Sequence, residues 1–285
     1  MILITGATGT VGSALLRRLS DVGASARALV RSPASRGRVE GLGLEAVDGD
    51  FDEPDTLERA MHGCDHLFLL SPPNPVQPQR EMAAIDAATR AGVGHIVAQS
   101  VMGTSHSSPV GFGRWHAEID DHLVASGIDY TILRPSGFMQ VHLLPVDTIK
   151  AQGKWYGMAG DGPSGYIDIE DIAAVAVEAL TKPGHGAATY ELTGPEALTM
   201  PQAAAQLSEV IGRDIAYVDL PAEQFRANLA QAGLPDWLSD ALVAMYQATR
   251  EGHGATVTNT VEEVTGKRPR SYRQFAEAHR EAVSS

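Results

Sequence analysis

Several features that would direct this 285-residue chain to secretion, a membrane or a polyanion are scarce in it. It has a single cysteine, Cys64, so no internal disulfide framework can form, and the composition fits a reducing, cytoplasmic setting. No apolar run approaches the ~20 residues needed to cross a bilayer. The opening Met1-Ile2-Leu3-Ile4-Thr5 runs into a glycine turn without a basic stretch or cleavage site, which predicts a buried first strand and not a secretion signal. Only four lysines occur, Lys150, Lys154, Lys182 and Lys267, none of them in the first half. Basic residues number 22 against 35 acidic ones, a net charge of −13. Such a surface repels phosphate backbones and anionic lipid, which argues against nucleic-acid and membrane partners. What is present, 44% hydrophobic and 20% charged residues, suits a globular chain of one or two domains.

The first 135 residues alternate short apolar runs with segments of helical spacing. The runs fall at 1–5, 26–30, 44–47, 66–70, 95–99 and 130–133. Between them, 11–22, 54–61, 79–91 and 112–126 carry apolar residues three and four apart. Strands apolar on both faces and separated by helices predict a parallel sheet covered on both sides. Right-handed crossovers then make it a doubly wound α/β sheet of the Rossmann kind. Beyond Arg134-Pro135 the rhythm breaks. Residues 136–165, rich in Gly, Pro, aromatics and Met, suggest a pocket-building loop. A return to the sheet is expected at 166–169, with a helix over 170–180 and a strand at 188–192. Later helices are expected over 201–211, 222–232, 235–250 and 271–282, with one strand at 215–220. The expected organisation is a sheet domain of residues 1–134 plus 166–193 and a smaller, mostly helical cap of residues 135–165 plus 194–285.

The first strand leads into Gly6-Ala7-Thr8-Gly9-Thr10-Val11-Gly12 and then a helix. The first glycine allows a tight turn, the second leaves bare backbone where a pyrophosphate would lie, and the third lets helix pack on strand. The helix start offers unpaired N–H groups and partial positive charge to an anion. These features predict a dinucleotide site on Gly6, Thr8, Gly9, Thr10, Val11 and Gly12. At the end of the second strand a carboxylate would bond the ribose 2′-hydroxyl of NAD. The chain instead has Val30-Arg31-Ser32, with Arg27 and Arg36 nearby. Clustered arginines in so acidic a chain favour NADP(H) over NAD(H), with Arg31 as the phosphate contact.

These segments resemble the NmrA-like branch of the atypical short-chain dehydrogenases/reductases. The resemblance rests on residues 5–12, Val30-Arg31, Gly49-Asp50-Phe51-Asp52, the run from Ile128 to Pro135, Leu192-Thr193-Gly194-Pro195-Glu196, and residues 264–269 with Phe275. It covers essentially the whole chain. It implies an NAD(P)H-dependent reductase of quinones, triphenylmethane dyes or azo dyes. The family also holds redox-sensing regulators that bind cofactor without evident turnover. By position the resemblance implies Asp50 and Phe51 beside the adenine, and Leu70, Ser71, Pro72 and Ser100 along the cofactor. It puts Pro135 and Phe138 at the nicotinamide end.

Typical short-chain dehydrogenases carry Tyr-x-x-x-Lys on a helix, where the ammonium lowers the phenol pKa and the phenol protonates a carbonyl. None of the seven tyrosines here has lysine four residues on, and the matching helix carries Phe112 and His116. A simple ketone would yield an alkoxide whose parent acid lies near ~15.7, whereas a quinone yields a phenolate-like anion with a parent acid near ~10. The missing pair therefore argues for hydride delivery to a quinone-like or conjugated aromatic substrate. Reaction of the reduced product with oxygen would bring net hydroxylation in a tailoring pathway. A cofactor sensor without turnover is the alternative. His116, followed by Glu118 and Asp120 as in related quinone and dye reductases, is the catalytic candidate, as positioning group or proton donor. Phe138, Met139, His142, Trp155 and Met158 are candidate lining for a small aromatic substrate. His62-Gly63-Cys64-Asp65-His66 has metal-ligand types without a second cluster, so a helix-to-strand turn and no metal is expected. Asp168 and Glu170, just ahead of a helix, fit N-capping and the helix dipole. A monomer or homodimer is expected.

Overall fold

Short buried apolar stretches, Ile2–Ile4 among them, build the central strands of the computed structural model, which describes residues 1–284. The first half alternates β1 (Ile2–Ile4), α1 (Thr10–Asp21), β2 (Ala26–Val30), α2 (Pro33–Glu40), β3 (Glu45–Asp48), α3 (Pro54–Met61), β4 (His66–Leu69), α4 (Gln77–Ala91), β5 (His95–Gln99), α5 (Gly111–Ala125) and β6 (Asp129–Pro135). A 3₁₀ turn (Met139–Leu143), α6 (Val146–Gln152), β7 (Lys154–Gly157), α7 (Ile169–Thr181) and β8 (Ala188–Leu192) follow. The chain continues with α8 (Met200–Ile211), β9 (Ala216–Asp219), α9 (Ala222–Gln231), α10 (Asp236–Arg250), α11 (Thr260–Thr265), α12 (Tyr272–Ala278) and α13 (Arg280–Ser284). These elements fall into two compact units, one of Met1–Ser107, Phe112–Pro135 and Ile169–Glu191, the other of Ser108–Gly111, Ser136–Asp168 and Leu192–Ser285.

The first unit is the doubly wound sheet, in the order β3-β2-β1-β4-β5-β6-β8. Strands β1 and β2, β1 and β4, β2 and β3, β4 and β5, and β5 and β6 pair in parallel. The order reverses at β1, which lies between β2 and β4, so the crevice that such sheets use for ligands opens beyond the carboxyl ends of β1 and β4. Leu3, Leu67, Leu69, Ile96 and Ile132 of the strands pack with Leu57, Met61, Ile85, Ile119 and Leu123 of the helices on one face. Each such side chain contributes about 2 kcal/mol when taken out of water. Helix α1 buries Val11, Leu15, Leu16 and Leu19, packs against α7, and is pinned to it by Arg17 and Arg18 on Glu170. That ion pairing is the part Glu170 plays beyond its place in the first turn of α7.

The second unit pairs β7 with β9 in parallel and surrounds them with helices. Helices α8 and α12 begin in full capping boxes, Thr199 with Gln202 and Ser271 with Gln274. Its core joins Met139, Trp155, Tyr166, Met200, Leu207, Tyr272 and Phe275.

The structure corrects several expectations here. Residues 136–165 are not loop alone but contain the 3₁₀ turn, α6 and β7. Residues 166–168 do not enter the large sheet: Ile167 bridges to Phe138 inside the second unit, and the chain rejoins the first at Ile169. The helix expected over 271–282 is two, α12 and α13, parted at His279. Asp168, besides preceding α7, accepts from Gln140 Nε2 at 2.7 Å and faces Arg270 at 3.4 Å.

Candidate active site

The glycine turn closes on itself and on β4. Gly9 N–H donates to Gly6 O at 2.9 Å, and Ser13 N–H to Gly9 O at 3.0 Å. Gly6 has φ +60°, and a Cβ there would stand 2.8 Å from Leu70 O. A Cβ on Gly12 would meet Gly6 O at 2.2 Å, so no larger residue fits where α1 crosses the turn. Gly9 caps α1 without a side-chain bond, and no acidic residue occupies the first turn. The backbone N–H groups at the start of α1 are thus left for an external anion. Thr8, Gly9 and Thr10 are exposed around them, with Val11 and Gly12 buried beneath. A cradle that side chains would fill, at a bare helix start and at the switch point of the sheet, fits the pyrophosphate of a dinucleotide.

Thr5 ties this turn to the next strand. Its N–H donates to Phe68 O at 3.0 Å, and its Oγ1 accepts from Leu70 N–H at 2.9 Å. Ser71, one residue on, is held from behind by Glu81 of α4, whose Oε1 lies 3.0 Å from Ser71 N and 2.7 Å from Ser71 Oγ. Pro72 beside it is exposed. Burial pushes the Glu81 carboxyl up to about 7, with the negative charge of Asp120 adding to the effect.

Beyond β2, Arg31 is 61% exposed and lies 3.8 Å from Asp50. Arg27 and Arg36, expected beside it at a phosphate, are committed elsewhere. Arg27 donates to Ala60 O and His62 O and pairs with Glu45, while Arg36 binds Ala46 O, Asp48 and Glu40. Ser32 spends its hydroxyl capping α2. Of these three arginines, Arg31 has the most exposed side chain. Asp50 Oδ1 accepts from Asp52 N–H, and Phe51 packs its half-buried ring on the sheet core.

Beyond β5 and β6 lies a buried polar group. Asp120 Oδ2 accepts from Ser100 Oγ at 3.1 Å and from Arg134 Nη2 at 2.8 Å. Ser100 N–H donates to Leu133 O at 2.7 Å, and Met102 N–H to Pro135 O at 2.9 Å, which joins the two strand ends. His116, one turn before Asp120 on α5, is 6% exposed. Burial, reinforced by the Arg134 guanidinium, pushes its imidazole down to about 4. At neutral pH it is therefore uncharged. Its Nδ1, Asp120 Oδ1, Glu81 Oε2 and Gln99 Oε1 are buried polar atoms without a protein partner. Such orphans concentrate where water or a ligand completes the bonding.

In the second unit Phe138 is half-buried. The other four candidates for substrate lining, Met139, His142, Trp155 and Met158, are buried in the core of this unit. His142, 2% exposed, has ring contacts with Trp155, Tyr166 and Tyr272 at 4.7, 4.4 and 5.4 Å, and burial pushes its imidazole down to about 3. Their size and apolarity serve packing. Cys64 is buried in the turn between α3 and β4, and among the described residues no group of three or more His, Cys, Asp or Glu could hold a metal ion.

Glu81 did not emerge from motif reasoning, and Asp120 and Arg134 appeared only inside motifs, without a role of their own. Two left a trace in the pattern: Glu81 interrupts the buried stripe Gln77, Ala84, Ile85 and Ala88, and Asp120 shares the inner face of α5 with His116. A carboxylate in an apolar stripe was the available signal.

Fold and cradle together define a dinucleotide-binding protein. A family model described as NAD(P)H-binding matches residues 6–183, and the chain belongs to that family, in its NmrA-like, atypical short-chain branch. The chain is 40% identical over 285 residues to the NAD(P)H azoreductase of Xenophilus azovorans, covering 100% of each. It is 38% identical over 285 residues to the (4-alkanoyl-5-oxo-2,5-dihydrofuran-3-yl)methyl phosphate reductase of Streptomyces griseus subsp. griseus, covering 100% of this chain and 99% of that one. The crystal structure of an NADPH-dependent quinone oxidoreductase of Escherichia coli complexed with NADPH matches with a TM-score of 0.90 at 30% identity, covering 98% and 99% of the two chains. The chain is an NAD(P)H-dependent oxidoreductase, with NADP(H) the favoured cofactor.

Proposed function

We propose that the chain is an NADPH-dependent reductase of conjugated acceptors, quinones and related flat aromatic compounds. The state of His116 carries the substrate class. With Tyr-x-x-x-Lys missing and the imidazole held neutral, neither a phenol nor an imidazolium on α5 is at hand to protonate a strongly basic product anion. A quinone or similar acceptor leaves an anion whose parent acid lies near ~10, which can take its proton from solvent; a saturated ketone leaves one near ~15.7. The similar proteins support this reading, since their names describe an azo, a quinone and an unsaturated acyl-lactone acceptor.

The bare backbone of residues 6–12 and the open start of α1 would hold the pyrophosphate. Arg31 would meet the 2′-phosphate, and Asp50 with Phe51 the adenine side. Leu70, Ser71, Pro72, Ser100 and Pro135 would line the remainder. When bound, the reduced nicotinamide supplies a hydride. The chain's own residues position and exclude water: Asp120 fixes Ser100 and Arg134, and His116 serves as a neutral hydrogen-bonding group. The test is a panel of acceptors with NADPH, following loss of reduced-nicotinamide absorbance. Turnover of quinones and azo dyes without turnover of saturated ketones is expected; comparable rates on saturated ketones would overturn the proposal.

A further inference from the structure

We infer that Glu81 is a positioning residue for cofactor binding: buried within α4, its carboxylate holds Ser71 and, through Ser71, the wall of residues 70–72. The inference rests on the reading above that this wall lines the dinucleotide.

The segment after β4 has little means of holding itself. In Ser71-Pro72-Pro73 the two prolines lack an N–H, so Ser71 offers the only backbone donor. That donor goes to Glu81 Oε1, as does the Ser71 hydroxyl, and Gln77 Nε2 reaches the same oxygen at 3.0 Å. Glu81 is 0% exposed and Ser71 2%. On the near side Leu70 is bonded to Thr5 and pressed against Gly6, so Ser71 is where the anchor from α4 meets the glycine turn.

An apolar residue would be the cheaper occupant of this position. Glu81 sits among Ala84, Ile85 and Ala88, and its carboxyl is driven toward the neutral form. Asp120 on α5 adds a like charge and the second oxygen has no partner, so the site is costly for a carboxylate. The three donors converging on one oxygen are what the position gains, and two of them belong to the wall.

Glu81→Leu removes the acceptor and leaves Ser71 unpaired; Glu81→Gln keeps an accepting oxygen without charge. NADPH dissociation constants, KM and kcat, and melting temperatures are measured for both. Glu81→Leu should raise Kd and KM for NADPH about tenfold, the loss of roughly one to two hydrogen bonds, with kcat at saturating NADPH within about threefold. Glu81→Gln should restore both constants to within about threefold of the parent. A purely structural role would lower the melting temperature without this split or rescue. Should Glu81→Leu not fold, Glu81→Asp, which shortens the reach by one methylene, carries the same expectation. Pro72→Trp, at an exposed position of the wall, separates the two claims. Altered NADPH affinity in Pro72→Trp with none in the Glu81 variants overturns the positioning role alone. Unaltered affinity in all of them overturns the wall assignment and the role with it.

Discussion

Single residues decide how this chain responds to pH. The ordinary Glu81 carboxyl titrates at 4.5, and burial raises it to about 7. Between those values the unfolded chain ionises first, so stability is fully present below about 4.5 and is lost as pH rises through about 7. At about 1.4 kcal/mol per pH unit, the gap corresponds to on the order of 3 kcal/mol. Glu81→Gln, which has no charge to bury, should therefore become progressively more stable than the parent across that window, as urea denaturation at several pH values would register. An advantage independent of pH would contradict the burial argument. His116 and His142 act oppositely: held neutral with values of about 4 and 3 against an ordinary 6.5, they contribute stability above about 6.5 that is lost as pH falls. The glycines of the turn were legible because backbone geometry admits little else. Glu81 was not, since nothing in the linear chain says that Ser71, ten residues earlier, folds back against it.

At the scale of elements, α1 is the part whose disturbance should be felt most. Gly12→Ala drives a methyl to within 2.2 Å of Gly6 O and must part the helix from the turn. A loss of about 2–3 kcal/mol is expected by chemical denaturation, together with weakened NADPH binding. An unchanged denaturation midpoint would show that the turn has slack the structure denies. Long amphipathic helices and apolar strands were readable because their period persists over two or more turns or across both faces. Other elements were not: α6, β7 and α11 run four to seven residues, too few to establish a period, and α2 buries only Val39, so tertiary packing decides them. The 271–282 helix keeps its pattern in sequence yet breaks at His279, whose ring lies 4.6 Å from that of Phe275. The aromatic and Met-rich stretch around Trp155 suggested a pocket because core and pocket draw on the same residue types, and burial in the second unit's core separates them.

For the whole molecule, the alternation of strand and helix prescribes a doubly wound sheet, and the sheet's reversal at β1 prescribes where a ligand goes. A chain of net charge −13 binding a highly anionic cofactor depends on local features that overcome the general repulsion. On the proposed reading, the open helix start, the bare glycine backbone and Arg31 are those features. A titration of the parent chain and Gly9→Ala with NADPH, followed by nicotinamide fluorescence, tests this most directly. The added Cβ would stand 3.2 Å from Gly6 O, so the turn must give by a few tenths of an ångström, and on the proposed reading it would face the pyrophosphate. Binding by the parent and a loss of about tenfold or more in Gly9→Ala, at a preserved melting temperature, is the predicted result. Equal affinity in the two, or no binding by the parent, would contradict the account.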